Sequence, residues 1–206
     1  MPANYDRTAR FYDRLSRLVY GDALQNAQKH FLHLIPAKSQ ILIIGGGTGK
    51  ILENITALHP SGLSITYVEI SANMIALSRN RNTGDNYVEF ITKAIENTDH
   101  SNNFDVVITP FLFDNYTDKA LKITFPHISS RLKPGGLWLN TDFQLTGKWW
   151  QWVLLKSMYG FFKLFSKIEA KRLPDMKGYF EGAGYSLVAR KPFYGDFVVT
   201  EGWRKI

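Results

Sequence analysis

A chain of 206 residues, 45% hydrophobic and 21% charged, is long enough for one domain with a real core and has the balance of a soluble protein. It has no cysteine, which excludes disulfides, thiolate nucleophiles and zinc–thiolate sites. The net charge of +7 is uneven. Residues 145–206 carry 11 Lys/Arg against 5 Asp/Glu, so a basic, aromatic-rich last third either forms a plain solvated rim or meets a membrane, a nucleic acid or an acidic substrate.

The N-terminal MPANYDRTARFYDRL is polar and mixed in charge and lacks the apolar core of a signal peptide, so a cytoplasmic location is expected. Apolar positions at Phe11, Leu15, Leu18 and Val19, then at Phe31, Leu32, Leu34 and Ile35, predict helix over 4–34, split at Gly21 and ended by Pro36. From Ser39 onward strands and helices alternate. Strands are expected at 40–45, 64–70, 87–91, 104–109 and 137–143, and helices at 48–58, 71–80, 116–132 and 148–168. YSLVARKPF and DFVVTEGWRK, on either side of Tyr194-Gly195, read as a closing hairpin. This order predicts an α/β fold with a mostly parallel sheet covered on both faces. Ligands of such sheets bind beyond the carboxyl ends of the strands.

ILIIGGGTGKIL, residues 41–52, places a glycine turn at that end of the first strand. It is not a phosphate loop: three residues, not four, separate Gly45 from Gly49-Lys50, and Ile51 stands where a metal-binding hydroxyl would be needed. Nor is it a full dinucleotide fingerprint, because Lys50 holds the place of the last glycine. Glu69 ends the next strand, where a carboxylate can accept from both hydroxyls of a ribose. Glycine turn and acidic strand end together point to an adenosine-containing ligand.

These stretches, with YVEISANMI, FDVVITPFLFDNY, RLKPGGLWLN and YFEGAGYSLVARKPF following in the family's order, resemble the class I S-adenosylmethionine-dependent methyltransferases of small-molecule type over nearly the whole chain. The resemblance implies a Rossmann-like seven-stranded sheet in the order 3-2-1-4-5-7-6, strand seven antiparallel, with helices on both faces. It implies a single domain, 1–206, with 1–36 as an N-terminal helical lid and 145–174 as a helical cap inserted between strands five and six. The implied cofactor is S-adenosyl-L-methionine. Gly45, Gly46, Gly47, Thr48 and Gly49 would meet its methionine half, Glu69 its ribose, and Ile70, Met74, Ala94 and Ile95 its adenine. Thr109 would lie near the methionine amino group, and Tyr12, with Tyr5, in the lid. Two positions depart from the family: Ile43 where an acidic residue often precedes the glycines, and Lys93 where one often meets the adenine, Glu96 being the nearest substitute.

Methyl transfer mainly asks a protein to position a nucleophile and exclude water, with a base only where the nucleophile must lose a proton. Asp114 is the candidate for an active-site polar residue, with a solvated helix N-cap as its alternative. His127 reads as a helix-surface residue, and no histidine has metal-ligand spacing, so no metal is expected. Thr109-Pro110-Phe111-Leu112 lacks the polar residue that the family's nucleic-acid base methylases carry there, which argues against a nucleic-acid partner and for a small-molecule acceptor. KWWQWVLLKSMYGFFKLFSKIEAKRLP, residues 148–174, sets Lys156, Gly160, Lys163 and Lys167 on one stripe of an otherwise apolar helix. It is expected to cap an apolar or aromatic pocket through some of Trp149, Trp150, Trp152, Phe161 and Phe162. Peripheral membrane contact through 149–168 and a dimer face are its alternatives. A non-catalytic cofactor-binding or membrane-peripheral module and an aminopropyltransferase-like enzyme are the remaining readings of the whole chain, and the oligomeric state is left open.

Overall fold

The alternation of buried strands and amphipathic helices builds one twisted sheet with a layer on each face. The computed structural model describes residues 19–98, 103–165 and 172–206. The strands are β1 (Gln40–Ile44), β2 (Ser61–Val68), β3 (Asp85–Ile91), β4 (Phe104–Pro110), β5 (Leu132–Phe143), β6 (Tyr185–Phe193) and β7 (Val198–Lys205). Their order across the sheet is β3-β2-β1-β4-β5-β7-β6, as expected. The first five pair parallel, and β7 runs antiparallel between β5 and β6.

The helices are α1 (Ala23–Lys29), α2 (Lys50–Leu58), α3 (Ala72–Ser78), α4 (Asp118–Ser129), α5 (Trp149–Phe165) and α6 (Met176–Gly182). Successive strand side chains point to opposite faces, and β1 supplies both layers. Ile41 and Ile43 pack with Ile51, Leu52 and Ile55 of α2 and Ile75 of α3. Leu42 and Ile44 pack with Leu121 and Phe125 of α4 and Phe180 of α6. At the heart of that second layer the Trp138 ring stacks on Phe125 at 5.1 Å, and Phe180 stacks on Trp203 at 4.8 Å. A third cluster gathers beyond the strand ends: Tyr20, Leu24 and Ala27 meet Phe143, Phe197, Leu155 and Met158.

Most boundaries shift by one to three residues, and three differences bear on how elements connect. The helix expected to run to residue 34 ends at Lys29, and a 3-10 turn over Leu32–Leu34 follows; the break at Gly21, whose φ is +59°, is where expected. β2 starts at Ser61, three residues early, and a register shift between Ser61 and Ser64 lets it pair with Asp85. The Pro-Gly-Gly stretch, ahead of the strand expected at 137–143, is a bulge inside β5. Phe104 faces Leu132 and Val106 faces Leu137, so the extra residues of β5 loop out between those pairs, with Gly135 at φ +73°.

Candidate functional site

Gly45, Gly47 and Gly49 all adopt positive φ, at +69°, +60° and +81°, a conformation open mainly to glycine. The loop they form is pinned from behind. Gly45 N–H donates to the Val68 carbonyl at 2.9 Å, Tyr67 OH donates to the Gly47 carbonyl at 3.0 Å, and Arg81 Nε donates to the Thr48 carbonyl at 2.8 Å. The glycines do different work. A Cβ on Gly46 would lie 2.4 Å from Tyr67 Oη, and one on Gly49 would lie 2.6 Å from Ser78 Cβ, so these two let the loop pack against β2 and α3. A Cβ on Gly47 would meet no protein atom within 4 Å. That glycine exposes backbone on the open side of the loop.

The open side is a cavity of about 460 Å³ at the carboxyl ends of the parallel strands. Gly45, Gly46, Gly47 and Thr48 line it, with Glu69, Ile70, Met74, Ala94 and Ile95 along one wall. The Glu69 carboxylate is buried and held by two backbone donors, Gly47 N–H at 3.1 Å and Ser71 N–H at 3.0 Å. Those bonds lock the acidic strand end to the glycine loop. Ser71 also caps α3 by accepting from Met74 N–H, which sets Met74 against the cavity.

Two expected members stand elsewhere. Gly49 is off the lining, packed on Ser78. Thr109 is fully buried and off the lining as well: its hydroxyl donates to Asn140 Oδ1 at 2.9 Å and accepts from Trp138 Nε1 at 2.9 Å, so it serves the core. Lys93, the departure from the family, does line the wall, whereas the Glu96 carboxylate accepts from Thr124 Oγ1 and stands off it. Tyr5 and Tyr12 lie outside the described residues.

The other end of the cavity is walled by Tyr20, Phe111, Leu112, Phe143, Leu154 and Met158, with Asp114 and Asn115 among them. Asp114 is not a solvated cap. It is buried in a 3-10 turn over Phe113–Asn115, and Thr117 caps α4 instead, accepting from Ala120 N–H. Asn115 Nδ2 donates to Asp114 Oδ1 at 2.6 Å, and Tyr159 OH donates to the Asp114 carbonyl at 3.1 Å. Behind it stands Asp142, also buried, which accepts from Phe113 N–H at 3.0 Å and from Phe143 N–H at 2.8 Å. Burial, and then the charge of Asp142, hold the Asp114 carboxyl well above the usual carboxylate range. Burial likewise pushes Asp142 up to about 7, against the pull of its backbone donors. Burial, followed by the nearby Asp114, raises the Tyr20 and Tyr159 hydroxyls too. A pair of carboxyls so placed retains a proton near neutral pH and presents it, through Asp114, to an apolar chamber.

The aromatic segment behaves differently from expectation. Its helix does reach the cavity, but through Leu154, Ser157 and Met158 rather than the tryptophans. Trp149 and Trp152 are exposed, and Trp150 packs on Tyr194 and Phe197 at 6.0 Å each. The side chains of Phe161 and Phe162 lie outside the described residues. His127, expected on the surface, is half-buried, with Nε2 at 3.1 Å from the Ile95 carbonyl and 2.8 Å from Arg131 Nη2.

The turn between β6 and β7 ties this end together. Tyr194, Gly195 and Asp196 all have positive φ. Tyr194 OH donates to the Val19 carbonyl, Gln151 Nε2 to the Gly195 carbonyl, Gln144 Nε2 to the Asp196 carbonyl, and Lys148 pairs with the Asp196 carboxylate at 2.8 Å. Sequence reasoning missed Tyr20, Met158 and Asp142. For Asp142 a signal existed: Asn140-Thr141-Asp142 is a polar run at the carboxyl end of a strand that is otherwise apolar. Among the described residues no group of His, Asp or Glu could hold a metal.

Residues 41–136 match the model of a methyltransferase domain family. The chain is 26% identical over 187 residues to the ubiquinone/menaquinone biosynthesis C-methyltransferase UbiE of Geotalea daltonii, covering 83% of this chain and 77% of that one. It is 33% identical over 103 residues to malonyl-[acyl-carrier protein] O-methyltransferase 2 of Ilyobacter polytropus, covering 50% of this chain and 39% of that one. Among solved structures, the Burkholderia thailandensis 1,6-didemethyltoxoflavin-N1-methyltransferase, bound to 1,6-didemethyltoxoflavin and S-adenosylhomocysteine, shares the fold. Its TM-score is 0.67 at 16% identity, over 97% of this chain and 85% of that one.

Proposed function

We propose, from the match of residues 41–136 to a methyltransferase domain family and the shared fold, that the chain is a class I S-adenosylmethionine-dependent methyltransferase and that it methylates a small, apolar or aromatic molecule seated between Phe111, Phe143 and Met158. The observation that carries this is the division of one cavity into two chemistries. One wall offers backbone, Glu69 and the apolar pair Ile70 and Met74, which suits an adenosine and its ribose. The other is apolar and aromatic, with a single buried carboxyl facing in.

S-adenosylmethionine supplies a methyl group already activated by the positive sulfur. The residues for it fit: a Cβ at Gly47 would meet no protein atom, so a ligand can approach closely there, and the Glu69 carboxylate is fixed on the wall. The chain's own task is to hold the acceptor in line and keep water out. Phe111 and Phe143, 5.0 Å apart, with Leu154 and Met158, provide that apolar enclosure. Asp114, protonated near neutral pH, is the group placed to hydrogen-bond an oxygen or nitrogen of the acceptor and so to orient it. Gly45, Gly46, Gly47, Thr48, Glu69, Ile70, Met74, Ala94 and Ile95 are the proposed cofactor contacts. Leu154, Ser157 and Met158, on the inner face of α5, serve as the cap, and the whole chain acts as one domain.

The Geotalea relative is named for carbon methylation in ubiquinone and menaquinone biosynthesis, so phenols and hydroquinones head the acceptors to try. The deciding experiment is transfer of a labelled methyl group from S-adenosylmethionine to a panel of phenols, hydroquinones, amines and fatty acids. Turnover on an apolar ring compound, with one equivalent of S-adenosylhomocysteine formed, is the expected result. Label appearing only on RNA, DNA or protein would overturn the proposal.

A further inference from the structure

The outer face of α5 is apolar where a soluble helix would be polar. Trp149, Trp152 and Val153 are 78%, 53% and 54% exposed, and with Lys156 they fall at helical spacing on one side. The opposite side, Gln151, Leu155 and Met158, is buried. Elsewhere on the described surface, strongly exposed large apolar residues such as Tyr87 and Ile123 sit on separate elements. Scattered apolar residues need no explanation, but a ridge with two tryptophans within one turn does.

The charge on the helix itself has one sign. The sequence of α5 contains no Asp or Glu. The Lys156 ammonium lies 3.9 Å over the Trp152 ring, at the edge of the ridge. Lys148 stands just before the helix, shared with Asp196. Tryptophan flanked by lysine on a non-spanning helix is the composition that settles at the headgroup level of a bilayer, and no described helix is long and apolar enough to cross one. The ridge also adjoins the cavity. Ser157, exposed and on the cavity lining, donates to the Val153 carbonyl at 2.9 Å, so the rim of the chamber is one turn from the exposed face.

We propose that the Trp149–Trp152–Val153–Lys156 face of α5 docks on the surface of an anionic lipid bilayer, with the rim of the cavity at Ser157 brought to the interface. The tryptophans enter the headgroup region, and Lys156 meets lipid phosphate. This concerns where the protein sits and stands whatever acceptor the site takes.

The test uses the full chain and vesicles of phosphatidylglycerol, with phosphatidylcholine vesicles as the neutral control. Co-sedimentation with phosphatidylglycerol is expected, falling as salt rises from about 0.1 M to about 1 M, where the screening length drops from about 10 Å to about 3 Å. Tryptophan emission should shift to the blue and be quenched by brominated phosphatidylglycerol. Trp149→Ser/Trp152→Ser should weaken vesicle binding by at least about tenfold, and Lys156→Gln by about fivefold. Both should keep the wild-type melting temperature and affinity for S-adenosylhomocysteine. Trp152→Ser alone gives the same direction should the double variant melt early. Equal binding to both lipids, or undiminished binding by the tryptophan variants, would sink the proposal. So would a concentration-dependent dimer that the double variant abolishes, because the face would then belong to a second copy of the chain.

Discussion

Replacing Glu69 by Gln separates the two jobs that the carboxylate is placed to do. In the free protein its oxygens accept from Gly47 N–H at 3.1 Å and Ser71 N–H at 3.0 Å. Gln keeps the length but sets an NH2 group against one of those donors, so one bond is lost and one buried donor is left unsatisfied. That costs about 1–2 kcal/mol, or about 2–6 °C in melting temperature for a chain of this size. The second job is on the cavity side. Hydrogen bonds from a ribose diol to a charged carboxylate are about twice as strong as those to a neutral amide. Losing that charge should weaken binding by about 1.5–3 kcal/mol, which is roughly 10- to 150-fold in Kd. Isothermal titration with S-adenosylhomocysteine reads the second effect, and thermal melting without ligand reads the first. A variant that melts lower but binds S-adenosylhomocysteine within about twofold of wild type would show that Glu69 only latches the loop, and the proposed cofactor wall would be wrong.

Gly47→Val should fold with a loss of about 1–2 kcal/mol from its positive φ yet show no S-adenosylhomocysteine binding, because its side chain enters the open side of the loop. Gly46→Ala, by contrast, drives a Cβ into the Tyr67 ring and should show its main effect as a lower melting temperature. Thr109→Val removes the acceptor for Trp138 Nε1 and the donor to Asn140, so it should cost about 1–3 kcal/mol in stability while leaving S-adenosylhomocysteine affinity unchanged; a binding defect without a stability defect would return Thr109 to the site. For pH, the raised folded pKa of Asp142, about 7, means the folded state holds its proton where the unfolded chain has lost it. That contribution is complete below the unfolded value, about 4, and is lost as pH rises through 7. Urea titrations from pH 5 to pH 8 should therefore show the wild type losing stability relative to Asp142→Asn, and parallel curves would contradict the argument.

The alternation of strand and helix and the strand order were legible because each strand is a short apolar run bounded by turn residues, and because the family resemblance supplied the order. The cofactor end was legible for the same reason: a glycine turn and an acidic strand end sit at fixed places along the chain. The acceptor end was not. Asp142 and Asp114 are 28 positions apart and meet only because β5 lies beside β4 and its end faces the turn after β4. Tyr20 joins them from a third element. The tryptophans misled because helical spacing predicts faces but not which face is turned inward. With apolar residues on every side of 149–165, burial followed the smaller Leu154, Leu155 and Met158. Likewise Pro-Gly-Gly reads as a turn in any local window, and only pairing with β4 makes it a bulge.

The bonds made by the β6–β7 turn have a mechanical consequence. Val19 at the entry to α1, Gln151 in the first turn of α5, and Gln144 just past β5 all hang from three consecutive residues with left-handed backbone. Tyr194 and Asp196 hold that conformation without being glycine, a local cost of about 1–2 kcal/mol each that the attachments must outweigh. The roof and the side wall of the acceptor chamber are thus suspended from one abutment. The apolar wall of the chamber is therefore braced from a turn whose own three residues do not line it. A change of length in that turn would resize the chamber without altering a single residue that lines it.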